Sequence, residues 1–149
     1  MLRFEGDRDF PLPPETLWAR LTDARFLVAC IPDVDKVNEV GPDHASLVLR
    51  PSFAFVRGTL EVTLKVADAI PPTGAKVFLH SKGIGSSSSV EAVLALQPHE
   101  AGSRVHWTAE VKELGGLLKM VPSGLIRGAA QKVVNDAWTA VEKKFSEPD

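Results

Sequence analysis

The chain predicts an α+β fold in which a curved, seven-stranded antiparallel sheet grips one long C-terminal helix, and three observations predict it. Leu60, Val62, Leu64 and Val66 alternate with Thr59, Glu61, Thr63 and Lys65, while Val105, Trp107, Ala109 and Val111 alternate with His106, Thr108, Glu110 and Lys112. A period of two puts each apolar set on one face of a strand. From Ser123 to Phe145 the period changes, with Ile126, Ala130, Val133, Val134, Ala137, Trp138, Val141 and Phe145 recurring at spacings of three and four, which is one stripe of a helix. Gly58, Gly83 and Gly85 sit in or beside strands, where glycine admits bulges and bends, so the sheet is expected to curve away from the helix that crosses it.

The elements follow in order. Leu2 and Phe4 alternate with Arg3 and Glu5 in a first strand, stopped by Pro11, Pro13 and Pro14. Pro14 followed by Glu15 is a good helix start. Leu17, Trp18 and Leu21 mark the apolar side of one short helix, and Phe26, Leu27 and Ile31 that of a second, ended at Pro32. Six strands are expected near Val34 to Val40, Ala45 to Pro51, Arg57 to Ile70, Ala75 to Gly83, Ser87 to Leu96 and Ser103 to Leu114. Gly41-Pro42, the Phe53 to Val56 stretch, Pro71-Pro72-Thr73-Gly74, Gly85-Ser86 and Pro98 to Gly102 separate them. The closing helix, Ser123 to Ser146, would be ~36 Å long. Small residues in its first half, Gly124, Gly128, Ala129 and Ala130, are expected to leave volume at one end, and Trp138 and Phe145 to seal the other.

Composition narrows the function. At 149 residues the chain reads as one domain, residues 1–149, with no internal repeat. A net charge of −2 with both signs scattered along the chain gives no general attraction to phosphates, which argues against nucleic-acid binding. No stretch approaches the roughly 20 apolar residues that span a bilayer. Acidic residues occupy the place of a signal peptide's apolar core, and Cys30 has no cysteine to pair with, so the expected compartment is the cytoplasm.

The residues resemble the CoxG family of carbon monoxide dehydrogenase subunits, within the START-like, birch-pollen-allergen-like (SRPBCC) helix-grip superfamily. Pro14-Glu15, Leu17-Trp18, Leu21, Asp23, Leu27 and Cys30-Ile31-Pro32 in PETLWARLTDARFLVACIPD carry the resemblance. It continues through Arg57-Gly58-Thr59, Pro71-Pro72, Lys82-Gly83-Ile84-Gly85, Val105 to Val111 and Leu114-Gly115-Gly116, nearly the whole chain. The resemblance implies a helix-grip fold with an internal hydrophobic cavity, and a role as lipid- or quinone-binding partner of molybdenum-containing hydroxylases. Two features depart from the family's pattern: the chain stops at Asp149 where some members continue to a membrane anchor, and Pro122 breaks the approach to the long helix. At most transient membrane contact is therefore expected, through Leu117, Leu118, Met120 and Val121.

No residue set reads as catalytic or metal-binding, and no cofactor is expected. His44, His80, His99 and His106 lie on different segments, and His80 and His106 fall on the polar parity of their strands. Cys30, in an apolar helix, reads as a buried small hydrophobe. Gly83-Ile84-Gly85-Ser86-Ser87-Ser88-Ser89 resembles a phosphate cradle but joins two strands and lacks a lysine, so it reads as a turn whose serines could reach a ligand head group. The expected ligand-binding residues are Leu60, Val62, Leu64, Val77, Leu79, Val105, Trp107, Leu118, Val121, Ile126, Ala130 and Val133. The expected function is binding of a lipid or isoprenoid quinone without catalysis. The alternatives are an assembly factor acting by protein contact, and a cyclase- or hydratase-like enzyme, against which the absence of tyrosine and of an inward acid–base pair argues.

Overall fold

The computed structural model describes residues 2–31, 33–50 and 58–146; the expected Phe53 to Val56 connection, Pro32, Pro51 and the Arg57 strand start lie outside them. The elements are β1 (Arg3–Phe10), α1 (Pro14–Leu21), α2 (Ala24–Cys30), β2 (Val34–Val40), β3 (His44–Leu49), β4 (Leu60–Ile70), β5 (Gly74–Gly83), β6 (Ser86–His99), β7 (Gly102–Gly116), a one-turn 3-10 helix (Leu117–Met120) and α3 (Ser123–Ser146). All seven strands form one antiparallel sheet in the order β1-β7-β6-β5-β4-β3-β2. β6 and β7 run longer than the alternation predicts, because their pairing continues to Ser86↔Gly116 at one end and His99↔Gly102 at the other. Backbone hydrogen bonding outlasts the apolar pattern there, and Pro98 lies within the strand rather than in the turn. The 3-10 helix is a turn that the alternation does not predict.

Local chemistry sets the short helices. Pro14 and Glu15 occupy the first turn of α1, whose Leu17 and Leu21 are fully buried one helical turn apart. The Asp23 carboxylate accepts the Arg25 backbone N–H at 2.9 Å, capping α2 and satisfying a donor that the helix leaves unpaired. Trp18 Nε1 donates to the Gly74 carbonyl at 2.9 Å and so ties the helix pair to the β4–β5 hairpin.

α3 is fastened to the sheet mainly through its second half. Trp138 lies 5.9 Å from Trp107 and 6.2 Å from Phe10 between ring centroids. Phe145 meets Phe10 edge-on at 5.4 Å and stacks on Phe26 of α2 at 5.2 Å. Arg8 Nη1 donates to Glu142 Oε1 at 2.7 Å beside them. The first half has the Arg127 guanidinium 5.6 Å over the Phe4 ring. Burying a large apolar side chain contributes ~1.5–3 kcal/mol, against ~0.5–1 kcal/mol for an exposed cation–π contact, so the aromatic cluster dominates the anchoring. Gly6, cross-strand from Trp107, makes the close approach possible: a Cβ there would sit 3.1 Å from the indole. Among the described residues the Trp107 Nε1–H has no acceptor.

Candidate functional site

The inner face of the sheet is paved by cross-strand rows. Ala75, Leu94, Trp107 and Gly6 form one, and Val66, Val77, Ala92, Ala109 and Phe4 the next. Ala45, Leu64, Leu79, Val90 and Val111 follow, then Leu47, Val62, Ser81, Ser88 and Leu114. Burial falls along this sequence on the β5, β6 and β7 side. Leu94 and Trp107 are buried, whereas Leu79, Val90, Val111 and Leu114 are half-buried.

A groove of about 640 Å³ opens at the less buried end, between β7, the 3-10 helix and the start of α3. Leu2, Val111, Leu114, Leu118, Val121 and Ile126 give it apolar walls, and Glu113, Lys119, Ser123 and Arg127 stand at its rim with polar groups, while the Lys112 ammonium is paired with Glu110 and Glu91 on the outer face. Its volume falls within the ~300–1,000 Å³ typical of small-molecule sites. Leu117, Met120 and Leu125 stand beside it, 56%, 80% and 54% exposed.

Leu118, Val121 and Ile126, expected from the sequence, line this groove. Leu60, Val62, Leu64 and Leu79 all belong to the apolar core or pack against it; Val62 and Leu64 are buried, Leu60 and Leu79 half-buried. Val77 lies one row deeper and Ala130 packs half-buried against the core. The expected parity holds, since Glu61, Thr63 and Lys112 face out.

Three expected wall residues are corrected, and one of them is Trp107, which is buried against Trp138 at the closed end and lies outside the groove. Val133 is 41% exposed. Ala130, Val134, Trp138 and Val141, at spacings of four, four and three, fix the buried face, and Val133 is turned about 100° from Val134. Val105 is 0% exposed, wholly enclosed by packed side chains in the same region as Trp107, and so borders no open space. Gly124 and Gly128 are also exposed, with nothing near the position of an added Cβ, so they do not provide the groove's volume. Leu2, Val111, Leu114 and Arg127 are groove residues that sequence reasoning missed. Val111 was visible in the alternation. Leu114 was hidden by a bulge in β7, where Lys112 is the extra residue opposite Ser89/Val90; it shifts the register and brings a residue three positions from Val111 back to the inner face.

The serine segment forms the β5–β6 turn. Ile84 and Gly85 occupy its two central positions with φ of 58° and 70°, the pattern of a type I′ hairpin turn. Ser88 faces inward and its hydroxyl bonds that of Ser81; Ser89 faces outward and bonds His80 Nδ1 at 2.9 Å.

Several other ionisable groups form surface pairs. His44 lies between Asp43 and Glu39, at 2.9 and 2.8 Å, and hydrogen bonds to these carboxylates raise its pKa. His106 meets Asp7 at 2.8 Å, and Arg104 holds Asp9 below its ordinary range through a side-chain hydrogen bond. Burial pushes the Cys30 thiol up to about 11, which keeps it protonated and unreactive at neutral pH. Among the described residues no group of three or more His, Cys, Asp or Glu is placed to hold a metal ion. No helix among them is long and apolar enough to cross a membrane.

No curated protein matches the chain in sequence. Solved structures do match. A conserved protein from Geobacillus kaustophilus is similar with a TM-score of 0.85 at 23% identity, over 97% of this chain and 95% of that one. The AHSA1 protein from Silicibacter pomeroyi has a TM-score of 0.66 at 13% identity, over 97% and 98%. The structure of Ara h 8.0201 has a TM-score of 0.62 at 17% identity, over 97% of each chain. These likenesses establish the helix-grip fold of the START-like and Bet v-like proteins. The model of the CoxG family of carbon monoxide dehydrogenase subunits matches residues 6–146, and the chain belongs to that family.

Proposed function

We propose that this protein holds a hydrophobic small molecule, an isoprenoid quinone or another lipid, at the open end of its grip. It carries that molecule to or from a molybdenum-containing hydroxylase such as carbon monoxide dehydrogenase, in the cytoplasm and without chemistry of its own. The observation that carries the reading is the groove: a 640 Å³ space with six apolar side chains in its walls, in a fold whose other end is closed by aromatic packing. Burying ~300 Å² of apolar ligand surface supplies roughly 7 kcal/mol before association costs, so micromolar binding needs only modest complementarity. The hydroxylase partner is supported by the family description.

The test is organic extraction of protein purified without detergent, followed by titration with a quinone analogue of the wild type and of Val121→Trp, which places bulk in a half-buried groove wall. The wild type should release or bind an apolar molecule. The variant should lose binding while its Tm barely moves. A protein that neither carries nor binds any apolar molecule would instead act by protein contact, as an assembly factor. The exposed Leu117, Met120 and Leu125 provide the route to bilayers, by brief apolar contact: flotation with neutral vesicles should recover little protein, yet ligand should pass between vesicles when the protein is added.

A further inference from the structure

We infer that the Ser81–Ser88 hydroxyl pair is the groove end's polar anchor, reading a neutral carbonyl oxygen on the apolar ligand. This rests on the binding role proposed above and adds the chemical class of what is bound. The two serines are cross-strand neighbours on β5 and β6 and occupy the row Leu47, Val62, Ser81, Ser88, Leu114, whose other members are all apolar. Leu114, at the end of that row, is a groove wall.

Hydrogen counting gives the pair its function. Two hydroxyls carry two hydrogens, and the bond between them uses one. Among the described residues neither serine has another hydrogen-bond partner, so one O–H is left to donate. Other serines differ: Ser103 Oγ donates to the Leu12 carbonyl, and Ser89 is engaged by His80 on the outer face. Both Ser81 and Ser88 are half-buried, so water serves the free O–H until an apolar molecule covers it. A ligand that displaces this water without offering an acceptor strands a donor, whereas one with a carbonyl at that level replaces the lost bond. The row contains no cation, which favours a neutral oxygen over a carboxylate.

The experiment compares two probes, a prenylated 1,4-naphthoquinone and the matching prenylated naphthalene without oxygens, by equilibrium dialysis against the full chain. The wild type should prefer the quinone by about tenfold, the scale of one buried hydrogen bond. Ser81→Ala and Ser88→Ala should each keep most of that preference, since the surviving hydroxyl gains a free hydrogen. The double variant S81A/S88A should bind both probes alike, with naphthalene binding equal to or tighter than that of the wild type. Full preference in a double variant that is folded by circular dichroism, or no preference in the wild type, overturns the assignment and leaves the binding role standing. Failure of both probes to bind the wild type overturns the binding role, and this assignment with it.

Discussion

The two ends of the sheet's inner face are made from the same alternating strands yet finished in opposite ways. At one end Phe10, Trp107, Trp138, Phe145 and Phe26 lie within ring contact, and Leu17, Leu21 and Val105 are inaccessible. At the other, Val111, Leu114, Leu118 and Val121 have the same apolar character but remain half-buried around a groove. An apolar pattern therefore says which face of a strand turns inward; the size of the residues opposite it decides whether that face becomes core or site. The closed end supplies the stability that lets the open end stay unfilled.

The sharpest way to break this comparison is to truncate one residue at each end. Trp138→Ala should cost ~3–5 kcal/mol in urea unfolding, and Leu118→Ala less than about 1 kcal/mol, because a half-buried wall residue leaves no sealed cavity behind. Comparable losses would mean that both ends are packed alike. Gly6→Val should rank next, at about 1–3 kcal/mol, since its side chain would enter the space held by the Trp107 indole; an unchanged unfolding midpoint would show that the indole has room to shift.

At the open end the sign should reverse. Ile84 is a β-branched residue at φ 58°, and Ile84→Asn should raise stability by about 1 kcal/mol by relieving left-handed strain. A lower Tm would show that the packing of Ile84 beside Gly58 matters more. The smallest effect belongs to His44, on an exposed edge away from both ends. Its folded pKa is raised, so its contribution is fully present below the unfolded value of about 6.5 and is lost as pH rises through the folded pKa. His44→Gln should remove that slight pH dependence; a large change in unfolding between pH 6 and 8 that survives in the variant would place the titrating group elsewhere.

Much of this architecture was legible because it rests on periodicity. The alternation of Leu60 to Val66 and the stripe from Ile126 to Phe145 predicted the sheet, the bounds of α3 and the end that Trp138 closes. What escaped has specific physical causes. Val133 and Val134 are adjacent and equally apolar, and only the third dimension chooses between them. The β7 bulge at Lys112 resets parity before Leu114, so counting in twos loses that wall. Leu2 reaches the groove by pairing over a long sequence separation, with its carbonyl accepting the Val111 N–H at 2.9 Å, and no local pattern announces such a partner.

The uneven fastening of α3 also has a mechanical consequence. Clamped by large aromatic rings from Trp138 onward and held before that mainly by the smaller Ile126, Ala130 and Val134 and one guanidinium over one ring, the helix is a cantilever. The arm from Ser123 to Trp138 is ~22 Å long at 1.5 Å per residue, so a pivot of ~10° at the clamp lifts its tip by ~4 Å, close to the thickness of one aromatic ring plane with its contacts. Such a swing would leave the aromatic cluster intact while widening the mouth beside Leu118 and Val121, and a flat molecule could enter without any strand of the sheet parting from its neighbour.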